Sequence, residues 1–197
     1  MARPDTAPHI LDTAGRLFWT AGYHGVNMNA LGRAAGVNKA TIYQHFASKE
    51  ALAISAVAHL AAGIKQRIFR PSFEESPFPG ERISLIYRKF FSEQDRMFRQ
   101  TGQCPGCPLV SIGSEMAVRS PGLRQAVADA FGLLRTYYER IVDGLDTPGL
   151  RRTEKSRNEA VDMLMANMNA CQVAARLENR PDPLIVGEKR ALRILGV

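Results

Sequence analysis

Residues 27–46 read NMNALGRAAGVNKATIYQHF: two apolar-periodic stretches of barely two turns each, separated at Gly36. Met28, Leu31 and Ala35 mark the first stretch. Asn38, a side chain that suits an N-cap, opens the second over 39–45. Helices this short are not stable alone in water, so both must pack against a longer element. That element precedes them. Ile10, Ala14, Leu17, Phe18 and Ala21 recur at helical spacing over 7–21, and Gly22 stops the run. Three helices with a tight turn between the last two make a helix-turn-helix layout, whose final helix enters the DNA major groove. The composition of that helix suits the role. Asn38, Lys39, Thr41, Tyr43, Gln44 and His45 crowd polar groups onto two turns, while Ile42 and Phe46 anchor it.

The remainder also reads as helix. Ser48 caps a run over 49–69, and further runs are expected over 81–100, 108–118, 121–144, 154–179 and 184–195. Ser120-Pro121 is a start signal, because proline at the first helical position has no N–H to waste. The proline-rich stretch RPSFEESPFPGE (70–81) is expected to be a loop, as is DGLDTPGLRRT (143–153). No stretch alternates β-branched residues. The class expected is all-α with about nine helices: an N-terminal three-helix domain over 1–48 and a larger helical domain over 49–197.

Net charge is +7, compatible with a nucleic-acid partner, yet residues 1–50 carry only five basic against three acidic side chains. Charge therefore supports the reading without deciding it. No apolar run is long enough to span a membrane and no secretory leader is visible, so a cytoplasmic location is expected. Three cysteines do not make a disulfide framework.

The segment AGYHGVNMNALGRAAGVNKATIYQHFASKEAL (21–52) resembles the DNA-binding domain of the TetR (tetracycline-repressor-like) family of bacterial transcription regulators. Gly22-Tyr23, Gly25, Ala35-Gly36-Val37, Thr41-Ile42-Tyr43, His45-Phe46 and Ser48-Lys49-Glu50 carry the likeness. Asn27, Ala30, Gly32 and Asn38 depart from the residues usual there. A glycine at 32 inside a helix should cost roughly 1 kcal/mol against alanine. The resemblance implies that Asn38, Lys39, Thr41, Gln44 and Tyr43 face bases or backbone, and that Asn27, Tyr43, His45 and Lys49 hold phosphates. For His45, and for Tyr43, the alternative is a place in the small domain's core. The resemblance further implies a homodimer on a palindromic double-stranded operator, and a repressor released by a small-molecule effector in the C-terminal domain.

Candidate pocket residues are Phe90, Met97, Ile112, Met116, Phe131, Tyr137 and Asn169, beside a Cys104-Pro105-Gly106-Cys107 box. Pro108 should open a helix with Cys107 at its cap, where free N–H groups and the helix dipole favour thiolate. The Gly106-Cys107…Glu115-Met116 spacing resembles a branch of the family in which some members sense electrophiles or oxidants. Cys107 is then either a sensor, with Cys104 as resolving partner, or a small packed residue. A thiol-redox enzyme would want a βαβ setting around the Cys-X-X-Cys, and none is visible. A zinc module lacks a second ligand pair. No catalytic set, metal site or cofactor motif is apparent, and no enzyme is expected.

Overall fold

The computed structural model describes residues 6–145 and 153–197. Among them the chain is helical throughout, with no strand. Helices α1 (Thr6–Gly25), α2 (Met28–Ala34), α3 (Lys39–His45) and α4 (Lys49–Ile64) are followed by a π-helical turn over Lys65–Phe69 and by α5 (Arg70–Glu75). Then come α6 (Pro79–Thr101), α7 (Pro108–Met116), α8 (Pro121–Asp143), α9 (Glu154–Glu178) and α10 (Pro183–Leu195). Residues 49–75 are helical without a break, and counted as one helix they bring the total among the described residues to nine.

The structure corrects the expected loop over 70–81. Only 76–78 lie outside helix there. Proline normally ends a helix because it lacks an N–H and crowds the carbonyl one turn back. Here the π-helical turn resets the register: the Arg70 N–H donates to Lys65 O, and Pro71 falls in the first turn of α5. The Ser72 hydroxyl then donates to Ile68 O at 2.7 Å, so the helix continues. The stretch 108–118 is shorter than expected, its helix ending at Met116. Most of the expected 143–153 loop lies outside the described residues.

The chain divides into two compact units. The first contains residues up to Gly63 together with Pro108–Phe131. Its core is Ile10, Ala14 and Phe18 of α1, Leu31 and Ile42 of the short helices, Leu52 and Val57 of α4, and Leu109, Ile112 and Leu123, all buried. Helix α1 packs on α7 and on both short helices.

The second unit contains Ile64–Cys107 and Gly132–Val197. Helix α10 packs against α9 and α6. An aromatic group fills one part of this core: Phe69 lies 5.2 Å from Tyr137, 5.5 Å from Tyr138 and 6.2 Å from Phe90, centroid to centroid. A half-buried polar knot ties the three helices. Asn167 Nδ2 donates to the Tyr87 hydroxyl at 2.6 Å and to Gly187 O at 2.9 Å. Burial pushes the Tyr87 and Tyr138 hydroxyls well above the usual tyrosine range. No helix among the described residues is long and apolar enough to cross a membrane.

Candidate nucleic-acid interface

Both asparagine caps form as their chemistry dictates. Asn27 Oδ1 accepts from Asn29 N at 2.8 Å and Ala30 N at 3.4 Å, opening α2. Asn38 Oδ1 accepts from Thr41 N at 2.7 Å and from the Thr41 hydroxyl at 2.9 Å, opening α3. Gly36 takes a left-handed φ of 63° in the turn between them. Gly32, whose helix propensity alone makes it costly, has a packing reason. A Cβ there would sit 2.8 Å from Val37 O, while the Val37 N–H donates to Gly32 O at 2.9 Å. The turn closes directly onto the α2 backbone.

Helix α3 buries one residue, Ile42, and exposes Lys39, Tyr43, Gln44 and His45. Lys39 Nζ lies 5.7 Å from the Tyr43 ring centroid, so cation and aromatic share one side of the helix. Thr41 is half-buried. His45 is exposed, which removes the core alternative for it; the half-buried Phe46 does the anchoring.

Lys49 is placed differently from a free surface cation. It is half-buried, its Nζ donates to Val26 O at 2.6 Å, and it lies 4.6 Å above the Tyr23 ring. Burial lowers its pKa, with Glu115 opposing that shift. Lys49 therefore ties the start of α4 to the entry of α2. Burial likewise raises the Tyr23 hydroxyl.

Glu115, which the sequence marks only through its spacing from Cys107, has its role inside this unit. Its carboxylate accepts from Tyr23 N at 2.7 Å and His24 N at 2.9 Å. Nearby, the Ser120 hydroxyl accepts from Leu123 N at 3.0 Å, capping α8, and donates to the Glu50 carboxylate. No local pattern announces a carboxylate that works on a segment 92 residues away.

The candidate effector residues fall in both units. Ile112 and Met116 are buried in the first unit, and Phe131 is half-buried at its end. In the second, Phe90 and Tyr137 join the aromatic group, while Met97 and Asn169 are half-buried. Cys104 and Cys107 are both buried and not joined in a disulfide. The Cys104 thiol donates to Gln94 Oε1 at 3.2 Å, and burial pushes it up, away from thiolate. Gln94, buried and unmarked by any motif, also donates to Gly106 O at 2.9 Å and accepts from Gly106 N at 3.1 Å. Asn179 holds the other end of the loop, accepting from Cys104 N at 2.8 Å and donating to Gly102 O at 3.0 Å. No group of three potential metal ligands occurs among the described residues.

Comparison with known proteins agrees with this architecture. Residues 10–56 match the model of bacterial regulatory proteins of the tetR family, and 87–190 match that of the tetracyclin repressor-like C-terminal domain. The chain belongs to the TetR family. Among curated relatives, the HTH-type transcriptional regulator LmrA of Bacillus subtilis is 32% identical over 71% of this chain and 72% of its own. The uncharacterized regulator YxaF of the same organism is 34% identical over 66% of each chain. Crystalline Escherichia coli NemR in its reduced form shares the fold at TM-score 0.77, with 20% identity over 96% of both chains. This TetR chain is thus a helix-turn-helix transcriptional regulator, with α3 the second helix of the motif.

Proposed function

We propose that this regulator is a cytoplasmic homodimeric repressor without enzymatic activity. It would bind a two-fold-symmetric operator through α3 and release it when a small molecule occupies the C-terminal domain. In this reading Asn38, Lys39, Thr41, Tyr43 and Gln44 meet bases or backbone, and Asn27, Tyr43, His45 and Lys49 hold the phosphates. The observation that carries it is the outer face of α3, where four polar side chains stand exposed around one buried anchor. A single two-turn helix makes few base contacts, so a pair reading half-sites one helical turn apart supplies the rest.

The dimer is supported by a row of uncovered residues on α9. Met163, Val173 and Leu177 are exposed at helical spacing, Leu177 at 81%, and α10 adds exposed Ile185 and Val186. Solvated apolar rows of this length mark interaction faces. The effector would contact residues of the second unit from the set Phe90, Met97, Tyr137 and Asn169.

The likeness to NemR, solved in a reduced form, favours a second reading in which modification of Cys107 triggers release. Cys104 suits a resolving role less well, since its thiol is buried and bonded to Gln94.

Selection of bound duplexes from a random DNA pool tests the central claim. The expected product is an inverted repeat bound by a dimer, and Leu177→Glu should give a monomer with reduced affinity for it. Recovery of no preferred sequence would overturn the reading. Operator release in Cys107→Ser under mild oxidant separates the two triggers: unchanged release excludes the thiol.

A further inference from the structure

Gly22 interrupts α1 with φ 75° and ψ 163°, a conformation that favours glycine. The break turns the amides of Tyr23 and His24 out of the helical ladder, and the Glu115 carboxylate takes one with each oxygen. A Cβ on Gly22 would lie 2.8 Å from Glu115 Oε2, so the absent side chain is also what lets the carboxylate dock. Hydrogen bonds from two consecutive amides to an ionised acceptor are among the stronger in proteins.

The same stretch of chain holds further points. Arg119 Nη1 lies 3.3 Å from His24 Nε2, and the Ser120 hydroxyl donates to Glu50. Lys49, next to Glu50, holds Val26 O. Residues 115–120 therefore grip the chain on both sides of α2 and α3: at 22–24 before them and at Glu50 after them. The two short helices hang between these fixed points.

From this juxtaposition we propose that Glu115 is a positioning residue for operator binding. Its carboxylate fixes the α1 end, and with it the direction in which α3 is presented. It contributes no contact to DNA. The inference rests on α3 being the DNA-reading helix.

The test uses the full chain and a fluorescein-labelled duplex selected by the wild type from a random pool. Fluorescence anisotropy is read on that duplex and on a scrambled one of equal length. Glu115→Gln keeps the size but places an amide N–H against a backbone N–H. It is expected to weaken the selected duplex about tenfold, while the scrambled duplex, held by phosphate charge alone, changes less than about twofold. Helical circular dichroism should be unchanged. Gly22→Ala should act in the same direction.

Wild-type affinity in Glu115→Gln, or an equal loss on both duplexes, overturns the proposal. If Glu115→Gln does not fold, Glu115→Asp decides, being charged but one methylene shorter. A loss confined to the selected duplex supports the role, and wild-type affinity overturns it. A wild type that selects no sequence would defeat the DNA-reading assignment itself, a distinct result from an unaffected variant.

Discussion

The Lys49 ammonium sits 2.6 Å from the Val26 carbonyl and 4.6 Å above the Tyr23 ring, so one side chain joins the ends of three helices. The family resemblance makes this lysine a phosphate ligand, but the geometry also makes it a tie inside the unit. Lys49→Met should therefore lower stability as well as affinity. Losing a charged hydrogen bond to a carbonyl and a cation–aromatic contact is expected to cost about 1–3 kcal/mol. Denaturant unfolding measures it; an unchanged midpoint would leave Lys49 as a surface cation.

Lys39 and Gln44 separate two modes of reading. Lys39→Ala should weaken all duplexes alike and reduce the salt slope of binding by about one ion. Gln44→Ala should relax preference at one base pair by about 1–3 kcal/mol. Titrations against sequence variants at several salt concentrations distinguish them. A base-specific defect in Lys39→Ala would reverse the assignment.

Gly187 stands where α10 meets the Cys171 sulfur and the Tyr87 ring. A Cβ there would lie 2.8 Å from Tyr87 Cε1 and in collision with Cys171 Sγ. Gly187→Ala should destabilise the second unit by about 1–3 kcal/mol through overpacking. Adding Cys171→Ala should recover part of that loss, since the two residues share the space. Additive effects in thermal unfolding would contradict the close approach.

Arg157 hydrogen-bonds both oxygens of Asp143, and this lowers the carboxyl's pKa below its ordinary value. A folded pKa below the unfolded one contributes stability above the unfolded value and loses it as pH falls through the folded one. The pair is largely solvated, so the effect should be small. Asp143→Asn is expected to flatten the fall of stability below about pH 4. An identical acid profile in the variant would show that the pair contributes nothing measurable.

Much of the interface is legible in the sequence because its signals are local. Asn27 and Asn38 cap helices that begin one residue later, and Pro108 and Pro121 open theirs. The spacing of Ile10, Ala14 and Phe18 states which face is buried. His45 is ambiguous in the sequence for an equally local reason. It stands beside Phe46, an anchor of α3, and only packing shows that Phe46 is half-buried while His45 stays exposed.

The sequence by itself determined an all-helical chain with a helix-turn-helix at its start, since caps, glycine stops and a 3.6-residue period act over a few residues. The tertiary structure decided what acts over long distances. It turned an expected loop at 70–75 into helix by way of a π-helical turn, and it closed the Val37 backbone onto Gly32. It also set Glu115 against Tyr23, 92 residues away. A carboxylate or a missing side chain carries no record of its partner in its neighbours; only the folded packing supplies one.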